Sequence, residues 1–361
     1  MPKHVAYTNA ARFAPQGREV IINLPFRTGE PQPSGIPSRP GERIWFDPNV
    51  NRLLHDGSLR CRISADRHHY WLPVQLAGFA PNTDPADPTY FNGELARLTI
   101  EPTAPRLMKS ATFPFQLVRY FDGKASNEAW HRHQRGELDV TEQQLEVVQR
   151  TVADSAGHPL PLEQSGTAHI VGVSVLAITS DHHAVFVRQA SGNAVAPDAF
   201  AVSGSGSLDW VDVLARPEAT LHDLLRAGML RELQEECGVR PEEVRLETFR
   251  LTGYFRWLAR AAKPEFTGFV RLNVPLAELQ SRPVAASEAR FTRDLVGVPD
   301  CRFRSPVGAS PNIDSVRNYV VLRRALAAAS GSAPGSVRLS TSAFATWLFA
   351  IPEALASNPV H

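Results

Sequence analysis

The pattern of apolar positions changes character about halfway along the chain. In the first part, short segments with partly alternating apolar residues recur at 59–64, 70–76, 94–100 and 115–120, after one strand-like run at 20–24. Alternation places every second side chain on one face of an extended strand. Turn-rich stretches at 81–88 and 102–105 separate the later segments, and residues 1–45 are rich in Pro, Gly and Arg. Together they predict a β-rich or mixed N-terminal region of unassigned role. A helix is expected over 141–153, because Thr141 and Gln144 stand at capping-box spacing and Leu145, Val148 and Val152 share one side. The Gly- and Pro-containing segment 157–166 is the best boundary. The expected division is 1–160, 161–330 and a C-terminal extension, 331–361.

After that boundary the apolar runs lengthen. Segments 170–179 and 184–189 read as buried strands joined at Ser180-Asp181-His182-His183. Strands are also expected at 244–251 and 267–274, a short helix at 276–280 and an amphipathic helix at 312–328. In between, Leu221, Leu224 and Leu225 form one apolar stripe, and Met229, Leu230, Leu233 and Cys237 form another, rotated from the first. A break near Ala227-Gly228, separating two helices, is the simplest expectation.

The second of these helices carries the chemistry. In Arg231-Glu232-Leu233-Gln234-Glu235-Glu236-Cys237-Gly238-Val239, the residues Glu232, Glu235 and Glu236 fall within an arc of about 100°. Like charges one turn apart repel, and a cation between them reverses that effect. Hard divalent ions take carboxylate oxygens, Mg²⁺ octahedrally with water and phosphate in its shell. A run of Glu on a solvated helix face is the plainer reading of an arbitrary string of this kind. Arg231, four residues before Glu235, is spaced to pair with it, and Gly238 is a plausible helix stop.

The string resembles the core of the Nudix box, Gly-x5-Glu-x7-Arg-Glu-U-x-Glu-Glu-x-Gly-U, where U is aliphatic. Arg231, Glu232, Glu235, Glu236 and Gly238 match its fixed second half, and Leu233 and Val239 fill the aliphatic sites. The first half departs from the pattern, with Asp223 and Pro217 where Glu and Gly are expected. The segment Ser203-Gly204-Ser205-Gly206-Ser207-Leu208-Asp209-Trp210 resembles the family's glycine-rich loop, displaced upstream by an insertion. The resemblance spans residues 167–303. It implies an α+β fold: a Nudix-like α/β/α sandwich with a mixed sheet, preceded by the β-rich or mixed N-terminal region.

The resemblance also implies an activity, the hydrolysis of a phosphoanhydride bond in a nucleoside diphosphate linked to another moiety, dependent on Mg²⁺ or Mn²⁺. Glu235 and Glu236 would be metal ligands. Glu232 would ligate metal or act as base on the attacking water, and Arg231 would orient the glutamates. A backbone carbonyl in 204–207 would be a further ligand. Glu265 and Glu288 are candidates for a later acidic ligand, although an exposed loop is the plainer place for each. Arg188, Arg256 and Arg260 are candidates for phosphate contact, with ordinary surface positions as the alternative. A Nudix-like ligand sensor or interaction module with little turnover is the competing class.

Composition adds exclusions. Across 361 residues, 38 Lys and Arg balance 37 acidic residues, so no bulk field attracts nucleic acid or an anionic membrane. The expected partner is a small nucleotide pyrophosphate, and the oligomeric state does not follow from the sequence. Three scattered cysteines, Cys61, Cys237 and Cys301, form no disulfide framework, and no apolar leader opens the chain, so a cytoplasmic setting is expected. His68-His69 and His131-Arg132-His133 lack cysteine pairs at zinc-finger spacing. Trp210, Trp257 and Trp347 are expected in the core rather than under a nucleobase.

Overall fold

A computed structural model describes residues 20–23, 43–57, 60–81, 92–134, 136, 138–155, 158–190, 198–283, 292–299 and 315–356. The strands are β1 (Val20–Asn23), β2 (Arg43–Phe46), β3 (Ile63–Ala65), β4 (Glu94–Leu98), β5 (Phe113–Arg119), β6 (Gly172–Ile178), β7 (His183–Gln189), β8 (Phe200–Val202), β9 (Gly204–Ser207), β10 (Val244–Trp257), β11 (Lys263–Leu272) and β12 (Thr292–Pro299). The helices are α1 (Pro48–Asp56), α2 (Ala104–Met108), α3 (Tyr120–Ala125), α4 (Ala129–Gln134), α5 (Glu142–Val152), α6 (Trp210–Leu214), α7 (Leu221–Cys237), α8 (Leu276–Gln280), α9 (Ser315–Ser330) and α10 (Thr341–Ala356). The fold is mixed α/β, built on a large mixed sheet. No helix of the described residues is long and apolar enough to cross a membrane.

The sheet runs in the order β1-β2-β10-β11-β6-β7-β12, and β3, β5 and β4 form a small separate sheet. Pairing is parallel between β11 and β6 and antiparallel elsewhere in the large sheet. β6 is apolar at nearly every position because both of its faces are covered. Val173, Val175 and Ala177 enter one core with α7, while Leu176 and Ile178 enter another with α9 and α10. β6 and β7 pair only at Ile178↔Ala184, and then the continuous β8–β9 segment enters between them. The Ser203 hydroxyl spans the division, accepting from the Ala177 N–H at 2.8 Å and donating to the Val185 carbonyl at 2.7 Å.

Several expectations need correction. The glycine segment is largely strand, since Gly204–Ser207 pairs with β6. Residues 70–76 contain no strand, and Val74–Phe79 instead forms a 3-10 helix that buries Leu76 and Phe79. No break occurs at Ala227-Gly228. α7 is continuous because both apolar stripes enter one wide core, and Gly228 packs so closely on Leu208 that a Cβ there would lie 2.6 Å from its Cδ1. The short helix that precedes it is α6. Thr141 and Gln144 do make the reciprocal capping box of α5.

β2 and α10, from the first and last parts of the described chain, both join the main unit. Trp45 and Ile44 of β2 pair with Arg256 and Trp257 of β10, and α10 lies against β6, β8, β10 and β11. The C-terminal extension expected at 331–361 thus contains a 16-residue helix.

Candidate acidic site on α7

α7 is fixed at both ends. Thr220 caps its start, accepting from the Asp223 N–H at 3.1 Å and donating to the Asp223 carboxylate at 2.7 Å. Asp223, which stands at the expected box-glutamate position, therefore serves the cap. Arg226 pairs with it as well, at 2.8 Å. Gly238 ends the helix with φ 62°, a conformation open to glycine at little cost, and Arg282 donates to its carbonyl at 2.8 Å.

The close approach of α7 to β9 explains the glycines. A Cβ on Gly204 would sit 2.6 Å from the Leu233 backbone nitrogen, and one on Gly206 would sit 2.3 Å from the Glu232 carboxylate. At Gly204 the neighbour is backbone and only hydrogen fits, whereas at Gly206 a side-chain carboxylate would have to move. The same approach lets the Ser205 N–H donate to the Glu236 carboxylate at 2.8 Å.

Arg231 is the hub. Its Nη1 donates to Glu232 and to Glu235, both at 3.0 Å, and its Nη2 donates to the Ser207 carbonyl at 2.9 Å. Its Nε donates to Asp212 at 3.2 Å, and Asp209 lies 3.4 Å from Nη2. Four carboxylates thus share one guanidinium, with Glu236 held next to them on β9. Glu232 and Glu236 are buried, and Glu235 is half-buried.

The electrostatic consequence falls on Glu232. Burial, opposed by Arg231 and reinforced by Glu235 and Asp209, raises its carboxyl from 4.5 to about 8. Asp209 is raised too, chiefly by burial, with Asp212 and Glu235 adding to it against Arg231. The Arg231 guanidinium is held still more firmly in its charged form by these acids, despite burial. An excess of hard oxygen donors around a single cation, with two protonation equilibria displaced upward, is the environment that a divalent metal relieves. By type, these oxygen donors are those that a hard divalent cation takes. As the side chains stand, no three acidic, imidazole or thiol groups converge on one point among the described residues, since Arg231 stands between Glu232 and Glu235.

Asp209 and Asp212 were missed from the sequence. A signal was present: they have cap-and-third-residue spacing at the start of α6, and the structure shows that capping box. The other candidates are elsewhere. Glu265 is not an exposed loop residue. It lies buried on β11, paired with Lys263, and fills the space beside Gly172. Arg256 and Arg260 are not on the surface either, but in buried ion pairs with Glu101 and Glu128. Arg188 lies over the Phe200 ring. Glu288 falls outside the described residues. Trp210, Trp257 and Trp347 are all buried.

No protein-family model matches the chain, and no curated protein matches it. Among solved structures, the chain is similar to DR0079 from Deinococcus radiodurans, at 17% identity over 43% of this chain and 82% of that one. The TM-score is 0.26, too low to carry an argument about fold or function.

Proposed function

We propose that the chain is a metal-dependent Nudix-type hydrolase that cleaves a phosphoanhydride bond in a nucleoside diphosphate linked to another moiety. The observation that carries this reading is the α7 hub, in which Arg231 holds Glu232 and Glu235 while β9 holds Glu236. A solvated acidic face would leave its carboxylates in water. Here two of the three are buried and every one is oriented.

A second support lies in the first half of the box. Gly206 and Asp212 stand at the Gly-x5-acid spacing that opens the pattern, with Asp for Glu. Asp212 reaches Arg231, so the insertion falls after it, in the end of α6 and the first turns of α7. This replaces Pro217 and Asp223 as the counterpart of that half. On this reading the fold is the Nudix α/β/α sandwich, with α7 on one face of the sheet and α10 on the other.

Glu232, Glu235 and Glu236 would hold the metal. When bound, it would offset the charge of a pyrophosphate, polarise a phosphoryl oxygen and lower the pKa of water. The protein's own groups supply positioning. Arg231 fixes two carboxylates and the Ser207 carbonyl, and the Ser205 N–H fixes the third carboxylate. Glu232, raised to about 8, can hold or release a proton near neutral pH.

The test is incubation with Mg²⁺ or Mn²⁺ and a panel of nucleotide pyrophosphates, following release of nucleoside monophosphate. Turnover is expected, with a loss of about 10²-fold or more in Glu235→Gln. Tight binding without turnover in the wild type would instead support the sensor reading.

A further inference from the structure

A second polar centre lies away from the acidic site, where the turn between β10 and β11 meets the segment 124–128. Its cations are buried: Arg97 is 9% exposed, Lys124 8%, Arg256 1% and Arg260 5%. The buried acids that pair with them among the described residues are Glu101 and Glu128. Arg97 has only neutral partners, namely the Thr167 and Ser165 carbonyls, the Gln116 side-chain oxygen and the Tyr70 ring. Asn127 ties the groups together. It donates to the Arg260 and Ala261 carbonyls and to the Thr167 hydroxyl, and it accepts from the His169 N–H. With the buried Lys263–Glu265 pair included, five buried cations stand against three buried acids among the described residues of this region, which leaves a positive surplus with little solvent to screen it. His169 reports that field: burial and the guanidinium groups of Arg256 and Arg97 hold it well below the ordinary imidazole value.

The surplus has a direction. Arg260 donates from Nη1 to Glu128 at 3.2 Å, and its guanidinium carbon lies 4.3 Å from the centre of the Trp257 ring. Its Nε and Nη2 are buried and have no hydrogen-bond partner among the described residues. Those two N–H groups form the side edge of the guanidinium fork, the edge that matches two oxygens of a phosphate or carboxylate. Arg256 adds a third buried N–H without a partner, at Nη2, while its other nitrogens serve Ala262, Glu101 and Leu160. The backbone is fixed beneath: Ala261 and Ala262 both adopt positive φ, 45° and 54°, so the turn that presents Arg260 has little freedom.

The geometry points to a small-oxyanion receptor at Arg260. The buried, unpartnered side edge of its guanidinium takes two oxygens of a phosphate group, Trp257 and Glu128 hold the fork in place, and the surplus of buried positive charge favours the dianion. Free phosphate and a phosphomonoester share this chemistry. The receptor does not depend on the hydrolase reading, because none of its residues belongs to the α7 hub.

The test uses the full chain in metal-free buffer at fixed ionic strength. Inorganic phosphate and phenyl phosphate are titrated separately by calorimetry, with chloride as control. Saturable binding of one or both is expected, and the tighter arm identifies the source of the phosphate. Arg260→Lys keeps the charge but loses the fork, so binding should weaken by about tenfold or more. Glu94→Gln, at an exposed position of β4, should leave the affinity unchanged. In the wild type, the Arg260 Nε–H resonance should shift on phosphate addition, a readout that does not require the variant to fold. Absence of saturable binding overturns the receptor, as does equal affinity in Arg260→Lys or an Nε–H resonance that phosphate does not move.

Discussion

Glu232 concentrates the residue-scale physics of the acidic site. Its carboxyl is raised from 4.5 to about 8, so between those values the folded chain holds a proton that the unfolded chain has released. The corresponding stability is fully present below the unfolded value and is lost as pH rises through about 8. Thermal unfolding without divalent metal should therefore show a falling midpoint from pH 5 to pH 9. Glu232→Gln removes the titrating group and should flatten that slope. A variant with the wild-type slope would place the proton elsewhere. Arg231, Glu232, Glu235 and Glu236 were readable as a group because helical spacing places them together. Asp209 and Asp212 come from another segment, and no periodicity within α7 refers to them.

For the elements, the contact that matters is α7 against β9. Gly204 faces backbone, with the Leu233 nitrogen at 2.6 Å and Leu233 Cα at 2.9 Å from a would-be Cβ. Gly206 faces the Glu232 carboxylate, the far end of a side chain that can move. Gly204→Ala should therefore be the more destabilising, by about 1–3 kcal/mol in denaturant unfolding, since backbone cannot turn aside. Gly206→Ala should cost less stability and more divalent-metal affinity, measured by titration with Mn²⁺. If Gly206→Ala proves the more damaging to folding, the helix is not seated on the strand as described. The glycine-rich composition of 203–207 was plain in the sequence. Its pairing with β6 was not, because the hydrogen bonds of a strand go to residues far along the chain. The break expected in α7 failed for a related reason. Two apolar stripes imply two helices only when each has its own core, and here one core is wide enough for both.

At the scale of the whole molecule, the N-terminal region is bound to the main sheet by strand pairing and by buried ion pairs. Arg256 of β10 reaches Glu101, both almost fully buried, and Arg260 reaches Glu128. Glu101 also accepts from the Tyr254 hydroxyl at 2.7 Å. Glu101→Ala leaves a guanidinium and a hydroxyl without their acceptor, and should cost about 3–5 kcal/mol in urea unfolding. Glu94→Ala, which breaks the exposed pair with Arg119 at 3.5 Å, should cost no more than about 1 kcal/mol. Comparable losses in the two variants would mean that the Glu101 network is open to water.

Local spacing settled what depends on neighbours a few residues away. It established the helical turns that carry Glu232, Glu235 and Glu236 and their Gly238 stop, the capping box of α5, the buried strands β6 and β7, and the short helix α8. Only the tertiary structure decided which face of α7 meets β9, that Asp209 and Asp212 join Arg231, and that Arg256, Arg260 and Glu265 are buried. Those outcomes depend on contacts between segments distant in sequence. A charged side chain carries no local mark of whether its partner will be water or another part of the chain.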